Sequence, residues 1–310
     1  MKVLIATDKP FAKVAVDGIR EIIEGAGFQL ALLEKYTEKK QLLDAVVDAE
    51  AIIIRSDIID AEVLSAAKKL KIVVRAGAGY DNVDLAAATS NGVCVMNTPG
   101  QNANAVAELA LGMMVYAVRN FFDGSSGTEL MGKKLGIHAY GNVGRNVARI
   151  AKGFGMEVYA YDPFCPADVI EKDGVKALNS AEKLYETCEV ISLHIPATAE
   201  TKKSINYDLL NKMPMRALLV NTARKEVIDE IEMVKLMTLR PDFNYITDVM
   251  PDNDSEMRYK FGKVLTPRYF STPKKMGAQT EEANINAGIA AAKQIVDFLK
   301  NGNEQFRVNK

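Results

Sequence analysis

Two doubly wound α/β domains, each built on a parallel sheet, are what this sequence predicts. Three observations carry that expectation. Short apolar runs alternate with stretches of helical periodicity almost to the end of the chain. Residues 134–162 follow the order strand, glycine turn, helix, strand, acid. A complete set of strand candidates already lies ahead of that segment, and 310 residues suffice for two cores.

In the first domain, strands are expected at 3–6, 30–33, 51–54, 72–74 and 93–96, separated by helices at 14–23, 39–47, 61–70 and 83–90. A helix at 104–118 leads into the second domain, and the linker Asp123-Gly-Ser-Ser-Gly127 precedes a strand at 134–139. Val143, Val147, Ile150 and Ala151 then recur at helical spacing, Gly155 stops that helix, and Val158 to Tyr161 reads as the next strand. Further strands are expected at 190–195, 217–223 and 245–250, and a long Ala-rich helix at 281–299 returns the chain to the first domain. The expected division is 1–97 plus 285–310 against 98–284. Both parts are Rossmann/flavodoxin-like, with an interdomain cleft near 97–104 and 272–284.

Composition removes several function classes. A formal net charge of -1 gives no electrostatic case for nucleic acid or an anionic membrane. No apolar run reaches the length of a membrane span, and MKVLIATDKP reads as a first strand rather than a signal peptide. Cys94, Cys165 and Cys188 are odd in number and show no metal spacing, so no metal and a reducing, cytoplasmic setting are expected.

The segment 134–162 carries chemistry. Gly141 lets the backbone approach a pyrophosphate, Gly144 lets the helix pack close to the strand, and first-turn N–H groups around Asn142 and Val143 face phosphate oxygens. Asp162, eighteen residues after Gly144 and followed by Pro163, suits a ribose diol and repels a 2′-phosphate, which favours NAD over NADP. The first glycine of the usual pattern is replaced by Ala139.

Four blocks then fall in a recognisable order. They are Arg75-Ala-Gly-Ala-Gly-Tyr-Asp-Asn-Val-Asp84, Asn97-Thr-Pro-Gly-Gln-Asn-Ala-Asn-Ala-Val-Ala-Glu-Leu109, the unit 132–163, and Leu193-His-Ile-Pro196 running on to Asn221-Thr-Ala-Arg224 and Asp248. With these the chain resembles the D-2-hydroxyacid dehydrogenases, and within them the phosphoglycerate dehydrogenase branch. The resemblance implies that Arg224 holds the substrate's carboxylate and carbonyl, a task that suits a guanidinium fork. It implies that N–H groups of Ala76, Gly77, Ala78 and Gly79 take the carboxylate. Arg55 and Arg75 each end an apolar strand of the first domain and are read as meeting a phosphate, the alternative being surface salt bridges with Asp57 or Asp81. Asp248 would line the nicotinamide carboxamide, while His194, Pro196, Thr198, Thr222 and Ala223 would shape the wall near the ring and ribose. His194 ends a strand and is read as structural rather than as a base.

Two departures matter. Relatives carry a His before the final helix as general acid and a Glu that orients it. The only histidines here are His138 and His194, and the corresponding turn reads Ser271-Thr-Pro-Lys-Lys-Met-Gly277. Its replacement is Lys274 counted from Pro273, or Lys275 counted back from Thr280; Lys274 is preferred because it directly follows the proline. The Glu position falls on Asn253, with Asp252 and Asp254 nearby and neither expected to substitute. A minor branch of the family carries Lys in this turn. The segment before 134 is short and lacks the family's Trp, and the chain leaves no room for serine-sensing C-terminal domains. The expected activity is NAD-dependent oxidation of D-3-phosphoglycerate to 3-phosphohydroxypyruvate, with a lysine as acid/base and a homodimer pairing through the 104–118 helix. The alternatives are another D-2-hydroxyacid dehydrogenase, of glyoxylate/hydroxypyruvate or lactate type, or a non-catalytic NAD(H)-sensing module.

Overall fold

Runs of Ile, Val and Leu become strands here because both faces of each sheet are covered, so branched side chains pack on either side. The computed structural model describes residues 1–262 and 267–309. The chain divides into two compact units, Met1–Asn102 with Gln279–Lys310, and Ala103–Ala278.

The first unit holds β1 (Lys2–Thr7), β2 (Gln29–Glu34), β3 (Ala51–Ile54), β4 (Ile72–Arg75) and β5 (Cys94–Asn97). They are all parallel in the order β2-β1-β3-β4-β5, the flavodoxin-like winding. One face packs on the helices Lys13–Gly25 and Glu281–Asn301 through Ile19, Ile23, Ala287, Ala291 and Ile295. Those helices cross closely because Gly18 faces Ile289, where a Cβ would come within 2.5 Å of its Cδ1. After the last helix stops at Gly302 (φ 68°), the tail reaches β5: Val308 N–H donates to Val95 O at 2.8 Å, and Arg307 bridges Met96 antiparallel.

The second unit holds β6 (Lys134–His138), β7 (Glu157–Tyr161), β8 (Lys176–Ala177), β9 (Val190–Leu193), β10 (Leu218–Asn221), β11 (Asn244–Thr247) and β12 (Tyr269–Ser271). Their parallel order is β12-β11-β10-β9-β6-β7-β8, so the winding reverses between β6 and β9. Ligands of such sheets sit at the carboxyl ends of the strands, at that reversal. The helix Ala103–Val118 buries Ala107, Ala110, Leu111 and Met114 against one face.

Several elements differ from the sequence expectation. β8 and β12 are additional strands, and the expected helix at 61–70 ends at Ala66 because Ala67 leaves helical geometry at ψ 63°. The helix expected at 83–90 starts at Leu85, since Asp84 caps it by accepting Ala87 N–H at 2.9 Å. No helix among the described residues is long and apolar enough to cross a membrane, and no cluster of His, Cys, Asp and Glu among them could hold a metal.

Candidate active site

β6 delivers the chain into the glycine turn. Ala139, where glycine is usual, takes φ 81° and donates its N–H to Tyr161 O at 2.9 Å. A non-glycine residue there costs roughly 1–2 kcal/mol, so the turn is strained in this chain. Gly141 precedes the helix Asn142–Gly153, which no side chain caps, and a Cβ on Gly141 would meet nothing within 4 Å. No hydrogen bond among the described residues takes the first-turn N–H groups of Asn142 and Val143. Gly144 is required for packing: a Cβ there would lie 2.4 Å from Ala139 O and 3.0 Å from Ile137 Cγ2. Asp162, just past β7, is oriented by Tyr140 N–H at 2.7 Å on one oxygen and Phe164 N–H at 2.8 Å on the other, and Pro163 is exposed beside it. Beside this turn Arg145 lies over the Tyr140 ring and pairs with Asp173 at 3.1 Å.

β9 leads to His194, whose N–H donates to His138 O and whose Nε2 lies 3.0 Å from Ser192 Oγ. Burial pushes its imidazole down to about 3, with His138 adding to the effect, so it is neutral at physiological pH. Pro196 and Thr198 follow in a self-contained turn, where Thr201 Oγ1 donates to Pro196 O at 2.5 Å and accepts from Thr198 N–H at 2.7 Å.

β10 ends in Asn221, a residue the motif reading passed over as mere context. Its buried side chain accepts Ala223 N–H at 2.9 Å and donates to Arg224 O at 3.0 Å, shaping the turn that presents Arg224. A polar residue closing an apolar strand two positions before a turn amide is an Asx-turn signal, and it was available in the sequence. Arg224 is exposed and its Nη1 donates to Ala223 O at 2.9 Å; Lys275 Nζ approaches the same oxygen at 3.5 Å. Lys274 is exposed in the same turn. Asp248, just past β11, is fully buried and accepts Met276 N–H at 2.8 Å and Gly277 N–H at 2.9 Å. Around the lost glutamate, Asn253 precedes the helix Asp254–Phe261 and donates its N–H to Glu230 at 3.0 Å. Asp252 pairs with Lys225, and Asp254 accepts from Tyr269, Ser271 and Arg258.

In the first unit, Arg55 follows β3 and Arg75 ends β4. Arg55 donates to Lys9 O at 2.9 Å, Pro10 O at 3.1 Å and Asn284 Oδ1 at 2.6 Å, and burial lowers its pKa from the usual value. Asp57 is not its ion-pair partner: that buried carboxylate instead accepts N–H groups of Arg55 and Asp8 and the Tyr36 hydroxyl. Arg75 Nε donates to Arg55 O at 3.1 Å. Its guanidinium lies across Gly77 (φ 153°), where a Cβ would come within 1.6 Å of Nη1. Ala76 N–H and Gly77 N–H are already donated to Ile54 O and Arg75 O. Of the expected Ala76–Gly79 donors, Ala78 and Gly79 are the two whose N–H groups take no part in the internal hydrogen bonding of the described residues.

The second unit fits a dinucleotide. It combines an uncapped helix start, an open approach over Gly141, an oriented acid at the second strand's end, and Thr222 Oγ1, which is buried without a hydrogen-bond partner among the described residues. Residues 100–273 match the D-isomer specific 2-hydroxyacid dehydrogenase, NAD binding domain. An NAD+-bound 3-phosphoglycerate dehydrogenase of Entamoeba histolytica superposes with a TM-score of 0.86 at 48% identity, over 100% of this chain and 99% of that one. D-3-phosphoglycerate dehydrogenase of Methanocaldococcus jannaschii is 34% identical over 84% of this chain and 52% of its own length. Hydroxypyruvate reductase of Thermotoga maritima is 33% identical over 87% of this chain and 92% of its own length. The chain thus spans about half the length of the curated phosphoglycerate dehydrogenases that it matches. It belongs to the D-isomer specific 2-hydroxyacid dehydrogenase family, with an NAD-binding domain in its second unit.

Proposed function

We propose that the chain is an NAD-dependent dehydrogenase interconverting D-3-phosphoglycerate and 3-phosphohydroxypyruvate, the entry step to serine. One observation carries the chemistry: Arg224 and Lys275 converge on a single carbonyl oxygen, that of Ala223. The two cations differ in what they do. The guanidinium stays charged, forks onto the carboxylate of a 2-oxo acid and polarises the adjacent carbonyl. The ammonium beside it gives a proton to the oxygen of that carbonyl in reduction. In oxidation Lys275 takes the proton back as a neutral amine, a form that a neighbouring like charge favours. NAD, when bound, supplies the hydride acceptor or donor at C2. Ala78 and Gly79 N–H groups take the carboxylate, and Arg75 with Arg55 recognises the phosphate.

The shared oxygen supports Lys275 over Lys274, which the proline spacing favoured. A second reading, an enzyme for unphosphorylated hydroxypyruvate, is supported by Arg55, whose guanidinium already has three internal acceptors, and by the Thermotoga maritima relative.

The test follows NADH absorbance at neutral pH with 3-phosphohydroxypyruvate and with hydroxypyruvate. We expect preference for the phosphorylated acid, and a loss in Lys275→Ala of at least about a hundredfold in kcat, the lower range for a lost general acid. Lys274→Ala is expected to retain turnover. Equal use of both acids supports the second reading, and a folded protein that binds NADH without turnover is a cofactor-sensing module.

A further inference from the structure

We infer that Asp248 is a positioning residue whose carboxylate anchors the Lys274-Lys275 turn and holds Lys275 beside Arg224. The inference rests on the reading of Lys275 as the acid–base group. It adds to the role at the nicotinamide carboxamide that resemblance implies: each carboxylate oxygen takes one N–H of the lysine loop and keeps acceptor capacity for a further donor.

The amides that follow Lys275 are each taken by one oxygen: Met276 N–H donates to Oδ1 at 2.8 Å and Gly277 N–H to Oδ2 at 2.9 Å. Two successive donors on two oxygens fix the carboxylate in both position and tilt. The carbonyl that precedes Lys275 is tied from the other side. Thr272 Oγ1 lies 2.8 Å from Lys274 O, with Asp248 Oδ1 at 3.1 Å and Asp248 O at 3.2 Å as longer alternatives for its single proton. Thr272 is itself registered by its N–H donating to Thr247 O at 3.0 Å. The main chain of Lys275 is therefore held at both ends.

An acid is what this geometry asks for. Two N–H donors arrive on one buried side chain, and a carboxylate accepts both while presenting no hydrogen of its own. Gly277 is its counterpart, since a Cβ there would lie 3.0 Å from Asp248 Oδ2 and 3.3 Å from Val106 Cγ2. The same strand ends also set Arg224. Asp248 N–H donates to Asn221 O at 3.0 Å, and the Asn221 side chain shapes the turn that carries Arg224. Guanidinium and ammonium thus hang from adjoining ends of β10 and β11.

The experiment is a double-mutant cycle between Asp248→Asn and Lys275→Ala, read as kcat for reduction of 3-phosphohydroxypyruvate, with NADH affinity measured by fluorescence. In Asp248→Asn an NH2 replaces one acceptor and faces an N–H. We expect kcat to fall by about a hundredfold, the cost of a small misplacement of a reacting group. NADH affinity falls far less than kcat, since Asn keeps one acceptor oxygen, and Asp248→Asn adds nothing once Lys275 is Ala. Thr272→Val, which keeps the shape and removes the hydroxyl, loses part of kcat in the same cycle, and Thr272→Ser recovers most of it. That pair decides the matter if Asp248→Asn does not fold. Loss of NADH binding in parallel with turnover overturns the anchor, as does a further loss in the Lys275→Ala background. Full turnover by Lys275→Ala overturns the acid–base reading and the anchor with it, a result the cycle separates from the other two.

Discussion

His138 faces Tyr185 inside the second sheet's core, with Nδ1 3.2 Å from the tyrosine oxygen. Burial pushes its imidazole down to about 4, against the pull of Asp162 and Glu182. Unfolded, the same ring titrates near 6.5, so below that pH the unfolded chain binds a proton that the native chain refuses. Stability is therefore lost as pH falls from about 6.5 towards 4, by up to about 1.4 kcal/mol per pH unit from this group. Urea unfolding at several pH values should show that slope in the wild type and a shallower one in His138→Gln. Equal slopes would mean that the ring is protonated in the fold. At this scale the sequence was informative wherever a motif residue acts locally: Gly144, Asp162 and Arg224 stand where the strand–turn order put them. It was silent where a side chain answers distant backbone. Nothing around Asp248 announces Met276 and Gly277 as its partners, and nothing around Arg55 announces Lys9, Pro10 and Asn284.

Elements were legible in proportion to their length. The runs that became β1, β3 and β6 are apolar enough to read alone, and the helix Glu281–Asn301 has a capping threonine and a closing glycine that bracket it. β8 has two residues and β12 three, too few for any periodicity; they exist because β7 and β11 offer free edges. The tail beyond Gly302 shows the same limit. Buried Asn309 accepts Val95 N–H at 2.8 Å and donates to Val93 O at 2.8 Å and Thr89 Oγ1 at 3.1 Å, a contact across more than two hundred residues. Asn309→Ala strands the buried N–H of Val95 and the buried carbonyl of Val93, and should cost about 2–6 kcal/mol at about 1–3 kcal/mol for each such group. Chemical denaturation measures this, and a loss below 1 kcal/mol would mean that water replaces the amide.

For the whole molecule, the two strand orders divide the labour. Every residue that fits the dinucleotide lies in the unit Ala103–Ala278, and both arginines of the phosphate reading lie in the other. Arg75→Ala should therefore raise KM for 3-phosphohydroxypyruvate by about tenfold or more, as expected for a lost charged hydrogen-bonding partner, while NADH affinity is untouched. A matching loss of NADH affinity would show that Arg75 serves the fold of both units.

The interrupted unit also has a history written into its order of synthesis. Its sheet is complete after about one hundred residues, yet one helix that covers it, Glu281–Asn301, is made last. At roughly 5–20 residues per second, the intervening unit takes on the order of ten to thirty-five seconds to emerge. During that interval Ile19, Ile53 and Val74 lack the Ala-rich helix that later shields them. The contiguous unit can close while the split one waits. A nascent chain paused before residue 281 should accordingly present a folded dinucleotide domain joined to an apolar surface that chaperones would hold.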